Sequence, residues 1–107
     1  MTAARVAGAL GLLAMLSACD PQAAADRGAR GMARQVVLPV VSHELPGPVA
    51  EAATACILDA AAAEEIRALA RDYGVEAGTQ TRENIRILAE RPAARDCFAR
   101  SGVPPLR

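Results

Sequence analysis

Residues 48–73 read PVAEAATACILDAAAAEEIRALARDY, and the phase of their apolar positions decides the architecture. Pro48 suits the first turn of a helix, where its missing backbone N–H would have had no partner anyway. Val49, Ala53, Cys56, Ile57 and Ala60 then fall on one helical stripe. Carried past Ala60, that stripe would arrive at Glu64, Arg67 and Arg71, all charged. The apolar set beyond the alanines is Ile66, Leu69, Ala70 and Tyr73, rotated by roughly a third of a turn. One straight helix cannot bury both stripes in one core. The pattern therefore predicts a kink or two separate helices across Ala60–Ala63, in spite of alanine's helix propensity.

Toward the C-terminus, Asp72-Tyr73-Gly74-Val75 has the form of a helix end, with Gly74 as a left-handed cap and Val75 folding back. Gly78–Thr81 is the next connection, with Thr79 or Thr81 as an N-cap. Ile85, Leu88 and Ala89 supply an inner face, and Arg91-Pro92 ends that helix. Pro92 opens another, carrying Cys97 and Phe98, which Gly102 and Val103-Pro104-Pro105 stop. The large apolar side chains are few: Val49, Ile57, Leu58, Ile66, Leu69, Tyr73, Ile85, Ile87, Leu88 and Phe98 are the expected core. Toward the N-terminus, Leu45-Pro46-Gly47-Pro48 is a break. Between Pro21 and Val41 the periodicity is ambiguous. Ala25, Ala29, Met32 and Val36 recur at helical spacing, with Arg27, Arg30 and Arg34 on the opposite face. Gly28 and Gly31 weaken such a helix and Pro39 should end or kink it. Either a basic amphipathic segment lies against anionic headgroups through these arginines, or the stretch is a flexible tether. Val36–Val41 could also be a short extended piece.

Residues 1–20 carry a different message. A single Arg5, an apolar run from Val6 to Leu16 and small residues at a cut follow the order of a secretory signal. The run is too short to span a bilayer, which takes roughly 20 residues. Leu16-Ser17-Ala18-Cys19 resembles the lipobox of bacterial lipoproteins. That resemblance implies cleavage of a signal peptide at residues 1–18 and acylation of Cys19, including palmitate-type chains. It also implies a place in the cell envelope facing the periplasm. Asp20 after the cysteine resembles an inner-membrane retention signal, which favours the inner over the outer membrane. The layout of the remainder resembles small proteobacterial lipoproteins, which implies no activity.

With Cys19 assigned to lipid, Cys56 and Cys97 remain as an even pair, and an oxidising periplasm makes them a disulfide. A small domain with so thin a core often needs a covalent staple. No C-x-x-C spacing points instead to redox or metal chemistry.

Composition excludes more than it assigns. All 12 basic residues are Arg, balanced by 12 acids, and Trp is absent, with one Tyr and one Phe. A near-neutral chain without stacking aromatics lacks the features of a nucleic-acid binder. Acids concentrate in Glu44–Glu76 and arginines in Arg82–Arg107, so acidic helices should pack near basic ones. His43-Glu44 invites thoughts of zinc, but a metalloprotease helix requires a second histidine at the position of Gly47. There is no C-x-x-C-H haem sequence, phosphate-binding glycine loop or G-x-S-x-G elbow. Glu64-Glu65 sits where it would cap a helix and favour its dipole. No set of residues points to catalysis, a cofactor or a metal.

The expectation is thus an all-α protein: a signal peptide (1–18), a lipidated N-terminus with tether or amphipathic helix (19–45), and a bundle of three to four short helices (46–107) stapled by one disulfide. Its expected role is non-enzymatic, in interaction with an envelope partner or in envelope structure. The alternative is a small module that binds a ligand or peptide between its helices.

Overall fold

The computed structural model describes residues 20–107, so the expected signal peptide and Cys19 lie outside the described residues. All the regular structure in those residues is helical: α1 (Pro21–Val41), α2 (Gly47–Ala60), α3 (Ala63–Ala70), α4 (Thr79–Glu90) and α5 (Pro92–Ser101). Of the three to four helices expected after Pro46, four are present.

The alanine run does break. Ala61 and Ala62 are both extended, and α3 starts afresh at Ala63. The reason is the phase shift between the two apolar stripes. Ala50, Ala53, Cys56, Ile57 and Leu58 of α2 are buried, and so is Leu69 of α3. Helix α2 is buried on most sides, leaving Glu51, Ala55 and Asp59 exposed at fourfold spacing. Its small side chains let α1, α4 and α5 approach it. Buried Thr54 turns its hydroxyl back to the Ala50 carbonyl at 2.8 Å, so that its polar atom is satisfied.

Residues 20–45 are neither a flexible tether nor, at Val36–Val41, an extended piece. Asp20 caps α1, accepting from the Gln22 N–H at 3.0 Å, and Pro21 opens the first turn. Pro39 lies inside the last turn, where it removes only the one intrahelical bond to the carbonyl of exposed Gln35, and Ser42 closes the helix on the Leu38 carbonyl. Burial of Ala33, Val37 and Val41 against the other helices outweighs the cost of two glycines. The buried face is rotated from the expected one: Ala29 and Val36 are buried, but Ala25 and Met32 are exposed. One core therefore runs through residues on both sides of the expected boundary at 45/46, Leu45 included.

Two expected core residues lie outside it. Tyr73 is 49% exposed because α3 ends at Ala70 and places it in the following turn. Ile87 is 47% exposed on the outer side of α4. Gly74 takes the expected left-handed φ of +85°, but it is not the helix cap, since α3 has already ended at Ala70 with Arg71 as its cap; Val75 is exposed and does not fold back. Gly78 caps α4 rather than Thr79 or Thr81, and the Thr81 hydroxyl donates to Asp72 instead. Gly102 (φ +68°) ends α5 with Val103 N–H bonded to the Phe98 carbonyl at 2.9 Å, and Val103 is buried as that motif requires.

The helices alternate in direction. Ion pairs Arg30–Asp59 and Arg34–Glu51 align α1 and α2 antiparallel. Arg91, between α4 and α5, reaches Ala60 at the end of α2 and Glu65 in the first turn of α3, gathering four helix ends. Asp72–Thr81, and the Arg107 N–H bonded to Glu44 at 3.0 Å, lie at the other end of the bundle. The Cys56–Cys97 disulfide, with a Cα separation of 5.5 Å, joins α2 to α5.

Candidate functional site

The residues singled out in the sequence do not converge on a reactive centre. Cys56 and Cys97 spend both thiols on one bond. His43 is exposed in the turn after α1, its backbone N–H bonded to Val40. Among the described residues, no group of three or more His, Cys, Asp or Glu side chains could hold a metal ion. None of the described helices is long and apolar enough to cross a membrane.

The strongest polar arrangement is a joint that sequence reasoning found only in half. Glu65 takes the Ala62 N–H at 2.9 Å, capping α3 as expected. Its two oxygens also receive a bidentate pair of bonds from Arg91, both at 2.6 Å. The same Arg91 group donates to the Ala60 carbonyl at 3.1 Å, satisfying the end of α2. The guanidinium, first, and the backbone bond, second, hold the Glu65 carboxyl below its ordinary value; Arg91 is raised in turn. Both side chains stay about one-third exposed, and Glu65 also lines the small groove between α3 and α4. The pair is a mechanical clamp at the Ala61-Ala62 break. Its sequence signal was the charge asymmetry, since Arg91 belongs to the basic stretch and Glu65 to the acidic one. The same asymmetry pairs Arg82 with Glu76 at 3.8 Å. On α4 itself, Arg86 bridges Glu83 and Glu90 and lowers the Glu83 carboxyl.

The three arginines expected at a membrane surface divide. Arg30 binds Asp59 at 2.6 Å and Arg34 binds Glu51, so both hold α1 to α2. Arg27 is exposed and has no carboxylate partner among the described residues. Asp26 is instead taken by Arg67 of α3 at 3.4 Å.

Two grooves flank the C-terminal tail, whose Leu106 lines both. One, of about 420 Å³, has Ala89, Phe98 and Val103 as an apolar floor and Arg86 and Arg95 on its rim. The other, of about 460 Å³, lies between Val41, His43, Ile85 and Arg107. A smaller one, of about 200 Å³, separates α3 from α4 beside Leu69 and Ile87. No family model, curated protein or solved structure matches the chain.

Proposed function

We propose that this chain is a lipid-anchored envelope protein, held by acyl chains on Cys19 at the periplasmic face of a membrane, where it acts by interaction with an envelope partner rather than by catalysis. The observation that carries the reading is the Cys56–Cys97 disulfide. It consumes both thiols of the helical domain, as suits an oxidising compartment, and leaves Cys19 as the one cysteine for lipid. The lipobox-like Leu16-Ser17-Ala18-Cys19 supplies the address. Acyl chains hold a protein through buried methylenes, at about 0.8 kcal/mol each, with no need of a spanning helix. Asp20 favours the inner membrane.

Metabolic labelling with palmitate tests the anchor. Label should enter the native protein in a globomycin-sensitive way and be lost in Cys19→Ala; unchanged membrane extraction of that variant overturns the proposal. A second reading, a ligand- or peptide-binding module, is favoured by the groove over Phe98 and Val103 with Arg86 and Arg95 at its rim. Thermal protection by a ligand, lost in Arg95→Ala, would select it.

A further inference from the structure

The outer face of α1 is unlike the exposed face of any other helix. Helices α2 to α5 expose Glu51 and Asp59, Glu64 and Arg67, Arg82 and Glu90, and Arg95 and Arg100. On α1 the exposed side turned away from the core carries Ala24, Gly28, Gly31, Met32, Gln35 and Pro39, none of them charged. Charges on α1 sit at its flanks, where Arg30, Arg34 and Asp26 are committed to other helices. A Cβ added at Gly28 or Gly31 would meet nothing within 4 Å, so the face is bare. Its 21 residues make it about 31 Å long.

We infer that this face lies on the bilayer surface, so that the domain rests on its membrane along α1 instead of hanging from a tether. The inference rests on the lipid anchor proposed above. Asp20 is already the cap of α1, so the residue next to Cys19 belongs to the folded domain and no flexible linker separates them. The face thus starts at the anchor and runs on from it. A second copy of the chain is the poorer occupant on area. A strip about 31 Å by 11 Å offers roughly 350 Å², against about 800 Å² per partner in a stable dimer. A bilayer needs no such area, because the acyl chains supply the affinity and the face only has to lack a reason to stay in water. Met32, 40% exposed, would enter the interface, and Arg27 at the edge of the face would meet headgroup phosphates.

The test uses the full-length acylated protein in phosphatidylethanolamine–phosphatidylglycerol vesicles. With Cys19 acylated and Cys56 bonded to Cys97, one introduced cysteine is the sole reactive thiol. A polar fluorophore on Met32→Cys should lose its quenching by iodide in vesicles and keep it in the non-acylated Cys19→Ala protein in buffer. The same fluorophore on Ala99→Cys, on α5, should be quenched in both. Adding Gly31→Glu should restore quenching at position 32 while acylation and helicity persist. Undiminished quenching of the Met32→Cys label in vesicles overturns the inference, with acylation confirmed by mass spectrometry on the same sample. Shielding without lipid, accompanied by a doubled mass, assigns the face to a second copy and overturns it equally. Absence of acyl chains on Cys19 overturns the anchor and this inference together.

Discussion

Reducing the Cys56–Cys97 bridge should remove a large part of this domain's stability while leaving its helices in place. The bond joins positions 41 residues apart, from the central helix α2 to α5. In the chain-entropy model, a closed loop of that length restricts the unfolded chain by about 4 kcal/mol. That is roughly a thousandfold in the folding equilibrium, and single domains hold only about 5–15 kcal/mol in all. The native contacts change little, because reduction keeps both sulfur atoms in the chain. Cys56 is buried among Ala53, Ile57 and the facing side of α5, so mutation to alanine would add a packing loss that reduction avoids. The assay is urea unfolding followed by far-ultraviolet circular dichroism, with and without a phosphine reductant. The reduced protein should keep its helical signal in water, unfold at lower urea, and show a steeper dependence on denaturant. The steeper slope follows because an uncrosslinked unfolded chain exposes more surface. Coincident midpoints would refute the argument. So would a free Cys97 thiol in the freshly isolated native protein.

Gly31→Ala should stabilise α1 by about 0.5–1 kcal/mol, since the site is helical and open and alanine restricts the unfolded chain; thermal unfolding checks it. Gly102→Ala should cost about 1–2 kcal/mol, because φ +68° is strained for any residue with a Cβ. Asp20→Ala should cost about 1 kcal/mol and fray the start of α1, seen as faster amide exchange at Gln22. Acid should loosen the Glu65–Arg91 clamp. The Glu65 carboxyl is lowered in the fold, so its contribution is full above the ordinary carboxylate range and is lost as pH falls through the lowered folded value. Urea midpoints should hold from neutrality to the upper edge of that range and drop below it, and Glu65→Gln should be less stable at neutrality with a flatter acid limb.

The helices after Pro46 were legible because their signals are local. The phase slip across Ala60–Ala63, the proline starts at Pro48 and Pro92 and the glycine stop at Gly102 all act within a turn or two. The disulfide was legible by counting, once Cys19 had been set aside. Less was legible where a residue's role depends on which neighbour arrives. Tyr73 and Ile87 carry the right chemistry for a core, yet no helix covers them. Arg30 and Arg34 read equally well as headgroup ligands, until α2 brings Asp59 and Glu51 alongside.

Taken alone, the sequence determined the helical class, the break in the alanine run, the cysteine pair and the absence of a recognisable catalytic motif. These depend on period, backbone restriction and residue inventory, which a chain carries without reference to its fold. Only the tertiary structure decided that α1 belongs to the domain. Two glycines and a proline argue against that helix locally, and the contrary evidence is the burial of Ala33, Val37 and Val41 against elements distant in the chain. It also decided which side of α1 is left bare, because helical periodicity defines faces but not which of them the rest of the protein will cover.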